Sequence, residues 1–334
     1  MPLILERKNV LDLYAEAAEK GWVIPCFCTE NLTTTEAVLT AVKEYGKEIG
    51  QDNLPITIAI TNLYSHRAQT TFYTHTRQWD VGLRLFLADL KVLVDKNSLF
   101  SDLRVMVHLD HIQHDIDRAL LNWDMAQFSS IMYDASSLPF EKNIELTKRF
   151  IEKEKSNIVI EGACDEIVDA TGNEVSELTA PERAERYINQ TEADMIVANL
   201  GTEHRANTAN LQYRGDKARA IKEKIGGKIV LHGCSSVLPN QIRNLFNDGI
   251  RKVNIWTTLE RDSSPVLFRK MIENASKIIG EDLMNQLIAN GLFGDKYRKS
   301  DRASINYYTT AYRQDIVFQV MKKIVRSYLE LWYQ

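Results

Sequence analysis

Short runs of β-branched and aliphatic residues recur along the chain, separated by stretches where apolar residues return every three or four positions. The short runs fall at 22–27 (WVIPCF), 56–61 (ITIAIT), 104–109 (RVMVHL), 129–133 (SSIMY), 157–161 (NIVIE), 194–199 (DMIVAN), 228–232 (KIVLH) and 250–255 (IRKVNI). Most are apolar at successive rather than alternate positions, the pattern of strands covered on both faces in a parallel sheet. Their starts lie between 22 residues (228 to 250) and 48 residues (56 to 104) apart, room each time for a crossover helix. Helical signals fill the gaps. Thr33-Thr34-Thr35-Glu36 reads as an N-cap cluster before Ala37, Val38, Ala41 and Val42, and Pro181-Glu182 opens a helix with an acidic first turn. Eight such units predict an α/β fold, a closed (β/α)8 TIM barrel over residues 1–264; an open doubly wound sheet is the competing architecture. After residue 256 the strand signals stop. Leu267, Ile272, Ile278, Leu283 and Leu287, then Val317, Val320, Met321, Ile324, Tyr328 and Leu331, predict a helical C-terminal extension over 265–334 that packs on the barrel or meets a second subunit.

Composition narrows the class. The 334 residues carry 41 basic and 45 acidic side chains, a formal charge of −4, so there is no broad electrostatic footprint for nucleic acid. Mean hydropathy is −0.28 and no apolar run approaches the roughly 18–20 residues that span a bilayer. The N-terminal Met1-Pro2-Leu3-Ile4-Leu5-Glu6-Arg7-Lys8 lacks the basic-then-apolar order of a secretory signal, so a soluble cytoplasmic protein is expected. Cys26, Cys28, Cys164 and Cys234 form no CxxC pair and read as free thiols. Cys26 and Cys28, two apart on a strand, share a face.

Reactive groups in such a barrel sit at the C-terminal ends of the strands. There the third run closes on His108-Leu109-Asp110-His111, the fifth on Glu161, the sixth leads to Gly201-Thr202-Glu203-His204, and the seventh ends in His232-Gly233. A single strand-end histidine is ordinarily a hydrogen-bonded structural residue. Three from separate segments, converging on one mouth, make a candidate metal site with a position left open for substrate. Asp110 has two readings: a carboxylate that moves a proton beside the metal, or a cap for the following helix. His114 is expected on that helix.

At these segments the sequence resembles the class II, metal-dependent ketose-bisphosphate aldolases. Val107–His111 is similar to the family's H-x-D-H segment, and Phe128-Ser129-Ser130-Ile131-Met132-Tyr133-Asp134 through Asn143 to its F-x-S-V-M-x-D-x-S-x-L-P-x-E-x-N run. Gly201-Thr202-Glu203-His204 resembles G-T-x-H-G, Leu231–Ser236 resembles L-H-G-G-S-G, and Lys252–Thr257 resembles K-x-N-I-D-T. Five matches, in order and at barrel spacing, carry the resemblance. It implies a Zn²⁺ ion, or another divalent metal, held by His111, His204 and His232, with Asp110 as acid/base and Asn254 hydrogen-bonded to the reacting enediolate. It also implies reversible cleavage of a ketose or ketose phosphate to a dihydroxyacetone-type enediolate and an aldehyde, in a homodimer or homotetramer.

The departures from the pattern cluster on the substrate side. The second Glu of the family's E-x-E, an alternative metal ligand, is Ala163, while the first is Glu161; the P-x-F-N asparagine is Cys28. Gly233-Cys234-Ser235-Ser236 keeps one glycine of G-G-S-G, Arg205 replaces the glycine after His204, and Trp256 replaces the N-I-D-T aspartate. Glu166, Asp169 and Glu174 are the candidates for the second proton-transfer carboxylate, with no aligned motif to choose among them. Gly201, Arg205, Gly233, Ser235, Ser236, Trp256 and Thr257 are the candidate substrate contacts, with Arg205 an anion fork and Trp256 a stacking surface for a sugar. A kept metal set with changed substrate residues points to a sugar or sugar phosphate other than fructose 1,6-bisphosphate. Two rival readings are a non-catalytic aldolase-like subunit that regulates a partner, and a sugar epimerase or isomerase using the same enediolate.

Overall fold

The computed structural model describes residues 3–166, 177–202 and 213–334. Its strands are β1 (Ile24–Cys28), β2 (Pro55–Thr61), β3 (Arg104–Gln113), β4 (Ser130–Asp134), β5 (Val159–Ala163), β6 (Met195–Val197), β7 (Ile229–Leu231) and β8 (Ile250–Ile255). They pair in sequence order, all parallel, and β8 closes back onto β1 through Ile24↔Lys252 and Phe27↔Ile255. The closed barrel expected from the eight apolar runs is therefore the fold, and the open sheet is not. One face of each strand feeds the shell between barrel and helices: Ile56, Ile58 and Ile60 of β2 and Val105, Val107 and Leu109 of β3 are fully buried in one apolar cluster. The opposite face points into the barrel, where Cys26, Cys28 and Ala59 form a separate small cluster.

The helices are α1 (Arg7–Glu19), α2 (Leu32–Glu48), α3 (Gln69–Tyr73), α4 (Trp79–Leu93), α5 (Phe140–Glu154), α6 (Pro181–Thr191), α7 (Gly215–Ile225), α8 (Thr257–Glu273), α9 (Ala275–Ile279), α10 (Glu281–Ala289), α11 (Ile305–Tyr308) and α12 (Thr310–Trp332). α2 starts earlier than the threonine cluster suggests, because Asn31 supplies the cap. Its side chain accepts from Thr34 N at 3.2 Å while Thr34 Oγ1 accepts from Asn31 N at 3.1 Å. Two crossovers carry only 3₁₀ turns: Leu120–Asn122 and Met125–Gln127 between β3 and β4, and Cys234–Ser236 and Ile242–Asn244 between β7 and β8. β3 runs on to Gln113 and leaves a short connection, so His114 sits in a turn rather than on a helix. Pro239 and three asparagines oppose a continuous helix in the second case.

α1 crosses the N-terminal end of the barrel. Its Arg7 pairs with Asp194 at the foot of β6, Glu16 pairs with Arg104 at the start of β3, and Tyr14 is buried against Thr57 and Glu161. At the other end of the chain α12 lies against α2 and α8 and fills the outer ring over β1. Met321, Val325, Leu329 and Trp332 are buried on its inner face; the Tyr45 hydroxyl donates to Tyr333 O at 2.9 Å, and Trp332 Nε1 to Ile242 O at 3.0 Å. Removing the buried Leu329 side chain leaves a cavity in this seam. Leu329→Ala is expected to cost about 2–5 kcal/mol, seen as a lowered thermal midpoint; a loss within about 0.5 kcal/mol, the range of surface changes, would show α12 to be a loose appendage.

Candidate active site

Alternation along β3 puts His108 and Asp110 inside the barrel, and would turn His111 outward. It does not, because the β3–β4 register slips by one residue between Leu109↔Ile131 and Ile112↔Tyr133, and His111 adopts φ +48°. This bulge with a left-handed, non-glycine residue brings His111 round to the same mouth as Asp110. Asp134, at the end of β4, accepts from His111 Nδ1 at 3.1 Å and is itself tied to the Ser136 hydroxyl at 2.6 Å. Tyr64 stacks flat on the imidazole, with centroids 4.3 Å apart and planes within 2°. With Nδ1 and one ring face occupied, Nε2 is aimed at His232, whose Nδ1 lies 3.1 Å away. His232 follows β7 directly, and Gly233 turns the chain at φ +66°, where only glycine is unstrained.

The ligand atoms of Asp110, His111 and His232 all lie within 4.8 Å of one another and are buried. Two imidazole nitrogens beside an anionic carboxylate, with one ring oriented by a second carboxylate, form surroundings that fit a divalent cation. Burial pushes the Asp110 carboxyl up, but the neighbouring imidazoles, His111 foremost and His232 with it, outweigh it and hold the group well below the usual carboxylate range, so Asp110 is an anion at neutral pH. Its two oxygens are fixed from opposite sides. Asn254 Nδ2, at the end of β8, donates to Oδ1 at 2.9 Å, and the Cys28 thiol of β1 donates to Oδ2 at 3.2 Å. Burial pushes the Cys28 thiol up well above its ordinary value, which keeps it a donor.

Beneath this carboxylate runs a buried ionic column. Lys252 Nζ donates to Glu161 Oε1 at 2.6 Å and to His108 Nε2 at 3.1 Å, and all three side chains are fully buried. An ammonium only donates, so His108 carries its proton on Nδ1, which donates to Ser130 Oγ at 2.8 Å. Burial alone would lower the Lys252 pKa, yet the groups around it, Cys26, Glu161 and Asp110, leave it raised and the ammonium charged. Glu161 is thus held by Lys252 inside the barrel and is not among the clustered ligand groups.

A cavity of about 640 Å³ opens over the cluster, lined by the ends of β1, β2, β3, β7 and β8. Of the residues expected at the substrate side, Gly233, Ser235, Trp256 and Thr257 line it, with Asn254, Asp110, His111 and His232. Ser236 is buried in the 3₁₀ turn after Gly233, and Gly201, with φ +78°, accepts no place in the lining. Glu166 is exposed and lines a separate hollow behind His111 and Asp134. His204, Arg205, Asp169 and Glu174 lie outside the described residues. The helix-cap reading of Asp110 is overturned, since the residue sits within β3 with Asn254 and Cys28 on its carboxylate. Sequence reasoning missed Asp134 as the partner of His111, although it stands in the quoted 128–143 run. It also missed Tyr64, Arg67 and Gln69, whose only signal was an aromatic-rich polar stretch after the second strand.

A parallel barrel with an imidazole–carboxylate cluster at its C-terminal mouth defines a metal-dependent barrel enzyme. Residues 8–329 match the model of the class II fructose-bisphosphate aldolases. The D-tagatose-1,6-bisphosphate aldolase subunit GatY of Klebsiella oxytoca is 27% identical over 280 residues, covering 81% of this chain and 87% of that protein. Among solved structures, fructose-bisphosphate aldolase from Campylobacter jejuni aligns with a TM-score of 0.74 and 18% identity, over 99% of this chain and 95% of that one. The YdjI aldolase from Escherichia coli K12 aligns with a TM-score of 0.65 and 17% identity, over 96% and 95%. These two likenesses bear on the fold. The chain belongs to the class II fructose-bisphosphate aldolase family, and it is a metal-dependent lyase of the aldolase type.

The ionic column is costly to break on one side only, because an unpaired charge then stays buried. Glu161→Ala is expected to lower unfolding free energy by about 3–5 kcal/mol, measured by urea denaturation. The paired replacement Lys252→Met with Glu161→Leu should recover most of that loss. Equal losses in the single and paired variants would show that the pair does not act as a unit.

Proposed function

We propose that the protein reversibly cleaves a ketose phosphate other than fructose 1,6-bisphosphate, yielding a dihydroxyacetone-type product and an aldehyde. The observation that carries this reading is the convergence of Asp110, His111 and His232 on one cavity, with Asn254 on the Asp110 carboxylate. His111 and His232, with His204 as the resemblance implies, would hold Zn²⁺. Bound there, the ion supplies Lewis-acid stabilisation of the negative charge that develops on the substrate oxygens.

The chain's own groups handle the proton. Asp110, ionised and pinned by Asn254 and Cys28, takes the proton of the hydroxyl on the carbon being released. As that C–C bond breaks, its electron pair passes to the ketone half to give the enediolate, and the carbonyl of the aldehyde forms. In this reading Asn254 donates its second amide hydrogen to the enediolate oxygen, the first being on Asp110. A proton returned to the enediolate carbon completes the reaction, and Glu166, Asp169 and Glu174 are the carboxylates in reach of sequence for that step. Backbone amides at the start of α8, with the hydroxyls of Ser235 and Thr257, suit a phosphate group at one end of the cavity. The non-catalytic alternative finds no support in a cluster that retains both its imidazoles and its proton carrier. Exposed Phe268, Leu292 and Ile305 on the C-terminal segment support a homodimer or homotetramer. Among the described residues no helix is long and apolar enough to cross a membrane, and a cytoplasmic location accompanies this reading.

Three variants test the division of labour. His232→Ala is expected to abolish tight Zn²⁺ binding, and Asp134→Asn to weaken it about 10–100-fold by freeing the His111 ring. Asp110→Asn should keep the metal yet lose about 10²–10⁴-fold in cleavage. Metal analysis and coupled ketose-phosphate cleavage assays read these outcomes. Full metal content in His232→Ala, or unimpaired cleavage by Asp110→Asn, would sink the assignment, and an isomerised product without any aldehyde would replace cleavage by epimerase or isomerase chemistry.

A further inference from the structure

Asp117, on the connection that follows β3, is fully buried, and among the described residues its carboxylate meets N–H groups and no cation. Oδ1 accepts from Asn62 Nδ2 at 2.7 Å and from Leu63 N at 3.2 Å, and Oδ2 accepts from Gln113 N at 2.8 Å. Two of those donors follow β2 directly, and the third is the last residue of β3. Asn62 is itself fully buried, and its side-chain oxygen accepts from Thr70 Oγ1 of α3 at 2.7 Å. Burial pushes the Asp117 carboxyl up, against the pull of its three donors. A buried carboxylate without a counter-ion is costly, and the two segments joined by this one are those that hold His111.

Tyr64 directly follows Leu63, and its ring is the one stacked on the His111 imidazole, with centroids 4.3 Å apart. Gln113 stands two residues past His111, where the chain leaves the bulge and pairs again with β4 through Gln113↔Asp134. Asp117 therefore bonds to the backbone beside the stacking ring and to the backbone just beyond the imidazole. His111 needs both supports. A left-handed backbone at a non-glycine residue relaxes unless its surroundings hold it, and His111 stands at φ +48°. Relaxed to a regular strand, it would turn its ring away from the barrel mouth, because alternate residues face opposite sides. An apolar side chain at position 117 could fill the same space, but it would leave three N–H groups without this partner and the two segments without their common tie.

We infer that Asp117 is a positioning residue for the metal site: it locks the segment after β2 to the end of β3, so that Tyr64 stays on His111 and the imidazole stays aimed at the barrel mouth. The inference rests on His111 being a metal ligand, as proposed above, and the two can be separated. The full-length protein, freed of metal, is titrated with Zn²⁺ against a chelator, and with Co²⁺, whose visible absorption reports the geometry of its ligands. Asp117→Asn keeps the size of the side chain but turns an amide N–H onto a backbone or side-chain donor. It is expected to weaken Zn²⁺ binding about tenfold, the lower end for groups that orient a ligand, and to shift the Co²⁺ bands. Tyr64→Leu should do the same. The double variant should bind within about twofold of the weaker single variant, because both changes remove one shared support. Leu329→Ala, destabilised at the distant α12 seam, should bind Zn²⁺ as the wild type does. Wild-type affinity in folded Asp117→Asn, losses that multiply in the double variant, or an equal loss in Leu329→Ala overturns the inference and leaves the metal site standing. If Asp117→Asn does not fold, Asn62→Ala, which removes one of the three donors, takes its place in the same comparison with the same outcomes. Failure of the wild type to bind either ion overturns the metal assignment and this inference with it.

Discussion

Consecutive residues of a regular strand point to opposite faces, so Asp110 and His111 could not both reach the barrel mouth from an unbroken β3. The bulge at His111 resolves this. One extra residue against β4 and a left-handed backbone at a non-glycine position re-aim the imidazole, and Asp134 and Tyr64 hold it there. The strain of such a conformation persists only where the surroundings over-determine it, and here a carboxylate and a stacked ring do so. Around that kink the rest of the site is assembled: His232 against Nε2, Asn254 and Cys28 on the neighbouring carboxylate, and the cavity above them.

The barrel interior below serves the same carboxylate. Lys252 and His108 sit one side-chain layer beneath Asp110 and Asn254 on the same strands, and Glu161 balances the lysine. Buried charge of this kind contributes little net stability compared with apolar packing. Its effect is local: it supplies a fixed cation under Asp110, so the carboxylate is met by positive or donor groups on every described side. An anion held in this way, unable to swing away, suits the proton-accepting role proposed for Asp110.

Departures from the family pattern acquire physical meaning in the same frame. Trp256 does not merely fill the place of an aspartate, because its indole N–H is one of the donors that satisfy Glu30. Cys28, where the family has asparagine, donates to the Asp110 carboxylate. Cys234 and Ser236 stand where glycines are usual, but they occupy a 3₁₀ turn without a positive φ, so only Gly233 had to remain. The departures stand around the cavity while Asp110, His111, His232 and Asn254 keep the family's residues, and a barrel scaffold can serve different sugars through changes of that kind.

The eight apolar runs, the strand-end placement of Asp110, His111, His232 and Asn254, and the family were all legible in the sequence, because burial on both faces of parallel strands and short ordered motifs leave local signatures. Strand ends, the missing crossover helices and the cap of α2 were less so, since hydrogen-bond register and connection length decide them. What tertiary structure alone decided was partnership. Nothing near Glu30 in the chain announces Arg67, Gln69 or Trp256, which lie 37, 39 and 226 residues away and meet it only because β8 closes on β1 beside β2. The same closure places Lys252 under Asp110, 142 positions earlier in the numbering. Local pattern fixes which residues stand at the mouth of the barrel, whereas the closed sheet determines which of them meet.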